Sequence, residues 1–596
     1  MKHSLSLMTL VLSLMLSVSG LNAQNHPTDV NWRDARITDV GAFLVDLEIK
    51  VVEDPVTHKT STIETDRSRI VWASEGFDVT DVDKNAFHNG EKLDCAEFIT
   101  GDAATDSLLN SARKNIRKVM PKEQSGNLHD LAFNNFSYNV FKFEYPSIDA
   151  DGNPITLSAM AACPTKDNTS RVNNVILGTH ITITSNKQCP SAQDDGFKQD
   201  DWGMIFSLAA NNKMSYKAWF YVVKYFALAM TSVVPHIAMV EMLEILKDVT
   251  HSVSDANSNN CLVIMPDYEG YGSTKDRAHP YLYQELTARQ CIDALIYGKA
   301  LYKSDPTLED IRHPLRDDYR CMSVGYSQGG SVAMACHRFI EQNGLNKDLH
   351  FVGSLCGDGP YDPMATLMYY VEKDQEGKNM SMAVVLPLIM KGMLDTNPYM
   401  KFHKPEEYFT EKFLNTGIMD WLAGKQMTTG DIEKGFKNCY DNGIAGDATY
   451  FRDIFDKDGK VMMKNIMTKG CYDYFKNIYD DYKDKYTSAA GIPLPTQRGV
   501  FEDLHFALAS NDMTKAWVPK GNLILFHSKD DTVVPYVNAL SAQNRLGSKV
   551  ALESIIGKDH VDAGAAFFSQ DALYNVVLYN GLRLINYVNE ICNREY

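Results

Sequence analysis

Ser327 stands in Gly325-Tyr326-Ser327-Gln328-Gly329, a G-x-S-x-G stretch between a short apolar strand-like run, Tyr319 to Val324, and a helix-forming run that opens at Ser331-Val332-Ala333-Met334-Ala335-Cys336. A turn that sharp strains the serine backbone, and a Cβ two residues before or after it would clash, which is why glycine occupies both places. The helix that follows would aim its first amides at the hydroxyl and stabilise negative charge there. Ser327 is therefore the candidate nucleophile.

An acid and a histidine follow in the order that such a serine needs. Leu523 to Phe526 reads as a compact strand running into His527-Ser528-Lys529-Asp530-Asp531-Thr532-Val533-Val534-Pro535. The spacing Asp-x-x-Val-Pro favours Asp531 as the acid, with Asp530 as its solvated neighbour; an ordinary turn or N-cap role is the plain alternative for either. A last strand, Ala551 to Ile556, precedes the loop that carries His560. In such a set the imidazole takes the serine proton during attack on an acyl carbonyl, and the carboxylate fixes its tautomer and stabilises the imidazolium. Backbone amides would hold the oxyanion. One belongs to Gln328; the second is expected from Ile181 or Thr182, after the apolar run Val175 to Gly178.

With these residues the chain resembles the secretory-lipase-like branch of the α/β-hydrolases. The shared features are the elbow Gly325 to Gly330, Pro266-Asp267-Tyr268-Glu269-Gly270-Tyr271-Gly272, the corner Gly359-Pro360-Tyr361-Asp362, and the late acid and histidine loops. The resemblance spans about residues 136–362 and 515–592. It implies an α/β fold, a mostly parallel sheet flanked by helices, with a largely helical cap made from two insertions. Ile181 departs from it, standing where a glycine commonly follows the histidine. The implied activity is cleavage of carboxylic esters through an acyl-enzyme, with a small-molecule ester as partner and neither cofactor nor metal. The same core also serves peptidases, and a catalytically silent binding protein is the third reading.

Composition is that of a folded chain: 596 residues, 44% hydrophobic and 23% charged, ample for a large core. The net charge of −17 disfavours nucleic acid as a partner. Residues 1–23 read as a secretory signal, with basic Lys2, an apolar stretch from Leu5 to Val18 and a small-residue cleavage site at Ala23. The expected location is thus secreted or periplasmic. An accessory region over 24–134 would precede a core in two parts, 135–362 and 513–596.

The first insertion, 191–255, contains the apolar run Ala218 to Met230, where Lys224 and the nearby Pro235 favour a cap helix over a stable membrane span. The second, 363–512, is expected to be a helical cap or lid. In it Met364, Leu367, Met368 and Val371 recur at helical spacing, and Met380 to Met393 is almost continuously apolar. Core packing is the plainer reading of both stripes, and an acyl pocket the sharper one. The turn Asp149 to Pro154 imitates a calcium loop, but proline stands where such a loop needs glycine. The 11 cysteines show no metal-ligand spacing. Cys163, Cys261, Cys321, Cys336 and Cys356 read as buried thiols, while Cys439 and Cys471 suggest a disulfide.

Overall fold

The computed structural model describes residues 50–53, 60–63, 69–78, 137–164, 171–192, 261–309 and 312–568. The leader at 1–23, the apolar run 218–230 and most of both the accessory region and the first insertion lie outside these residues.

Strands β1 (Lys50–Glu53) and β2 (Thr60–Ile63) form a separate antiparallel pair. A nine-stranded sheet takes the rest: β3 (Arg69–Asp78), β4 (Ser137–Ile148), β5 (Pro154–Pro164), β6 (Val172–Thr179), β7 (Cys261–Pro266), β8 (Leu315–Tyr326), β9 (Phe351–Gly357), β10 (Asn522–Ser528) and β11 (Val550–Ile555). Their spatial order is β11-β10-β9-β8-β6-β7-β5-β4-β3. β4 and β5 form a hairpin whose turn closes on the Asp149 carboxylate, which accepts the amides of Asp151 and Asn153 and pairs with Arg277. From β7 to β11 all neighbours are parallel. Such strands are covered on both faces, so β7 and β9 are buried at every residue, and neither alternates apolar with polar residues as a half-exposed strand would.

Helices α1 (Gln284–Ser304) and α2 (Gln328–Gln342) pack on the sheet, α1 against β4 and β7 and α2 against β6, β8 and β9. The α2 helix starts at Gln328, directly after the serine, rather than at the run opening with Ser331.

The interval between elbow and acid loop is helical: α3 (Pro363–Gln375), α4 (Val385–Thr396), α5 (Thr429–Asn442), α6 (Lys469–Tyr482) and α7 (Val500–Ser510), with shorter pieces between. Capping side chains start several of them: Asp362, Thr428 and Thr468 each accept an amide of the first turn of α3, α5 and α6. These helices share their own apolar core, in which Met364, Leu367, Met368 and Val371 meet Phe409, Phe413 and Phe436. The apolar run from Met380 is helical only from Val385.

The expected Cys439–Cys471 disulfide is absent: both thiols are free, Cys471 buried on α6 and Cys439 half-buried on α5, packed in this same core as small apolar groups. Helices α8 (Val537–Leu546) and α9 (His560–Phe568) complete the described chain. No helix among the described residues is long and apolar enough to cross a membrane.

Candidate active site

Ser327 caps α2 with φ +57° and ψ −125°, a conformation that costs a side-chain-bearing residue energy and persists only where the surroundings impose it. They do so by crowding. A Cβ on Gly325 would run into Thr179 Oγ1 and the Gly329 carbonyl, and one on Gly329 into the Thr179 and His180 carbonyls. Both glycines of the motif therefore let β8, β6 and α2 approach closely enough to push the serine out at the strand end.

His560, the first residue of α9, places Nε2 2.9 Å from Ser327 Oγ and Nδ1 2.5 Å from Asp531 Oδ2. The other Asp531 oxygen accepts the amides of Val533 and Val534 at 2.8 and 2.9 Å, so the carboxylate is held by its own loop. Burial pushes Asp531 upward, but the charge and hydrogen bond of His560 outweigh it and hold the carboxyl below its usual range. Tyr370 of α3 donates to the Val533 carbonyl, and Ser381 to Thr532, which ties the acid loop to the helical region. Asp530 turns away to accept the Gly557 amide at 2.5 Å. Asp531, and not Asp530, is the carboxylate brought to His560.

Gln328 supplies the first amide of α2, which has no acceptor within the helix. Its side chain points the other way. Nε2 donates to His279 Nε2 at 3.0 Å, while His279 Nδ1–H donates to the Glu269 carbonyl at 2.7 Å. That tautomer requires a neutral ring, and burial lowers the His279 pKa to about 3. Ile181 and Thr182 both border the same cavity as Ser327. The neighbouring His180 is packed on Tyr268 with its Nδ1 2.7 Å from the Ile181 carbonyl, and Thr182 Oγ1 meets the Tyr281 hydroxyl at 2.7 Å. The strand-end loop is thereby anchored by aromatic side chains instead of by the missing glycine.

The cavity measures about 300 Å³. Met382, Val385 and Ile389 from the helical region, Val533 and Val534 from the acid loop, and Val561 line much of it. Among the described lining residues none is Asp, Glu, Lys or Arg. Leu386, by contrast, faces the helical core.

Parallel strands, an elbow at the end of β8, and acid and histidine loops after β10 and β11 decide the architecture. This is the α/β-hydrolase fold. No family model matches the chain, and a search of curated proteins finds no match. Solved structures do. The rice cell wall degrading esterase LipA from Xanthomonas oryzae is 20% identical, with 74% of this chain and 90% of that one covered at TM-score 0.48. A ligand-bound form of it is 17% identical, with 85% and 96% covered at TM-score 0.49. Candida antarctica lipase A in its closed state is 12% identical, with 79% and 81% covered at TM-score 0.42.

Two residues beside the site escaped the sequence reading. Asp358 directly follows β9 with φ +32°, fully buried beside Asp531 and His560, and Tyr326, the elbow residue before the serine, reaches both Asp358 and the His560 backbone. The available signal was a lone Asp between Gly357 and Gly359 at the end of an apolar strand.

Proposed function

We propose that this protein is a serine hydrolase that cleaves carboxylic esters of small substrates through an acyl-enzyme on Ser327. The observation that carries this reading is the hydrogen-bonded line Ser327–His560–Asp531 on a strained elbow, at the wall of an apolar cavity. His560 Nε2 accepts the hydroxyl proton as Oγ attacks the acyl carbon. The oxyanion is received by the Gln328 amide and by that of Ile181 or Thr182. The protonated imidazole, stabilised by Asp531, then returns the proton to the leaving alcohol, and water repeats the sequence to release the acid. Cofactor and metal have no part in this scheme.

The 363–512 helices act as a cap, since Met382, Val385, Ile389 and Thr429 border the serine cavity. A peptidase acting on short peptides would need a charged side chain to anchor a substrate terminus, and the described lining offers none. A cavity of about 300 Å³ lies at the small end of ligand sites and suits a short acyl group. With the 1–23 leader removed, the enzyme works outside the cytoplasm.

The test is turnover of p-nitrophenyl esters of increasing acyl length beside aminoacyl-p-nitroanilides, with Ser327→Ala as control. Ester turnover that peaks at short chains and disappears in the control is expected. Amide turnover alone would transfer the assignment to a peptidase, and no turnover of either, with Ser327 unlabelled by a fluorophosphonate, would leave a binding protein.

A further inference from the structure

Behind the Asp531 carboxylate lies a second acid. Oxygens of Asp358 and Asp531 and a ring nitrogen of His560 all lie within 4.8 Å of one another, and the Asp358 side chain is fully buried. The position follows from topology: β9 and β10 are parallel neighbours, so residues just past their ends stand side by side. Asp358 is fixed there by its own amide, which donates to the Phe526 carbonyl at 2.8 Å, and by the Ser528 amide, which donates to its Oδ1 at 3.1 Å.

Counting hydrogens decides the state of this acid. The Tyr326 hydroxyl lies 2.7 Å from the His560 carbonyl and 2.9 Å from Asp358 Oδ2. A carbonyl only accepts, and a phenol has one proton. With that proton on the His560 carbonyl, the contact to Asp358 is a hydrogen bond only if Asp358 brings a proton of its own. An ionised Asp358 would also face the charge of Asp531 with both side chains buried, the arrangement in which one of two carboxyls stays protonated.

We propose that Asp358 is a positioning residue of the hydrolytic site, a carboxylic acid rather than a carboxylate, which through Tyr326 and Asp531 sets the placement of His560. The inference rests on the function proposed above. The chain of donation runs from the Asp358 proton through the Tyr326 hydroxyl to the His560 carbonyl, and because that carboxyl is uncharged, Asp531 keeps its own charge beside it while it holds His560 Nδ1. Gly564, one turn along α9, packs against the Tyr326 ring, which keeps the histidine helix seated on this chain. The titratable groups around the acid pair are Tyr326 from β8, His527 from β10, His560 from α9, Tyr361 from the loop after β9, and Tyr369 and Tyr370 from α3. Burial first, and then the Asp531 charge, hold Asp358 well above the usual carboxyl range, which agrees with the hydrogen count.

Asp358→Asn keeps a neutral donor and an acceptor in place, whereas Asp358→Ala removes both. For p-nitrophenyl acetate, Asp358→Ala is expected to lose between about tenfold and a hundredfold in kcat with KM little changed, because the histidine is misplaced while the cavity is not. Asp358→Asn is expected to recover most of that loss. The acid limb of its kcat/KM profile should overlay that of the parent, since no charge has been removed. In infrared difference spectra at pH 7, the parent should show the carbonyl stretch of a buried protonated carboxyl that Asp358→Asn lacks.

An acid limb shifted down by about one pH unit or more in Asp358→Asn would mean that a negative charge had been removed, and would overturn the proposal. So would an absent infrared band, or a folded Asp358→Ala with parental kcat. If Asp358→Ala does not fold, the profile and the band of Asp358→Asn decide. Ser327→Ala measured alongside separates the two readings: ester turnover that survives it defeats the proposed function, while the infrared band still reports on Asp358.

Discussion

Among the described residues two serine–histidine–acid lines can be traced, and only one of them borders a cavity. In the first, Ser327, His560 and Asp531 are joined at 2.9 and 2.5 Å. In the second, Ser354 on β9, His337 and Glu341 on α2 are joined at 2.9 and 3.1 Å. Residue types and distances nearly match. The surroundings do not. Ser354 lies within a strand, fully buried, with its hydroxyl also 2.7 Å from Ser323, and Phe351 and Trp517 pack edge-on to the His337 ring. Glu341 is consumed by the Trp517 indole and by the amides of Lys520 and Gly521, so it splices the chain before β10 onto α2. The ring is also reversed, with Nε2 toward the acid and Nδ1 toward the serine. A hydrogen-bonded line becomes a site when a strained backbone lifts its serine into a cavity; without that it is core.

The sharpest way to break this contrast is to delete each serine. Ser327→Ala should abolish ester turnover, by about 10⁶-fold in kcat, with the melting temperature nearly unchanged. Ser354→Ala should keep the activity of the folded fraction and lose about 1–2 kcal/mol of stability, because His337 loses a buried partner. A fluorophosphonate adduct on Ser354 would invert the assignment.

The two acids should separate in the same way. Asp531→Asn is expected to lower kcat by about 10⁴-fold with the fold intact, since the imidazole then takes the wrong tautomer. Asp530→Asn should do far less, and Glu341→Gln should cost roughly 2–3 kcal/mol of stability while sparing kcat. Equal losses of kcat in Asp530→Asn and Asp531→Asn, from steady-state kinetics, would dissolve the choice of acid.

What lies behind each acid also differs. His527 is buried near Asp531, donating from Nε2 to the Val534 carbonyl at 2.8 Å, and burial lowers its pKa from 6.5 to about 4. Between those values the unfolded chain binds the proton and the folded one does not, so stability falls as pH drops through that window. The slope from this group is at most about 1.4 kcal/mol per pH unit. Denaturant titrations of His527→Gln at pH 6.5 and 4.5 should show a smaller acid loss than the parent; an equal or larger one would place the acid sensitivity elsewhere.

The smallest expected effect lies on α4, whose two faces do different things. Ile389→Ala and Val385→Ala, on the cavity face, should lower the butyrate-to-acetate ratio of kcat/KM by a few fold, at about 0.8 kcal/mol per methylene of lost contact. Leu386→Asn, on the core face, should lower stability and leave that ratio alone. A ratio constant across all three would remove the acyl contact from the cavity wall.

Much of the site was legible because its geometry is local. The elbow needs glycines at fixed offsets from Ser327, and Asp531 needs a strand before it and amides two and three residues after it, so both leave short sequence patterns. The half-buried Cys439 and the buried Cys471 misled because polar neighbours along a helix describe its outer face and not the one turned inward. Asp358 and Tyr326 were invisible for a different reason: the partners of Asp358 come from β8, β10, the loop after β10 and α9, and no pattern along the chain joins them.

From the sequence alone came the strand–turn–helix around Ser327, the order serine, acid, histidine, and the helical nature of the 363–512 interval, all set by local sterics and periodicity. Tertiary structure alone decided which Ser–His–acid line opens on a cavity, that α4 turns Ile389 to it and Leu386 away, and that Asp358 stands beside Asp531. Those depend on which strands are neighbours and which faces meet, and burial then determines which groups remain charged.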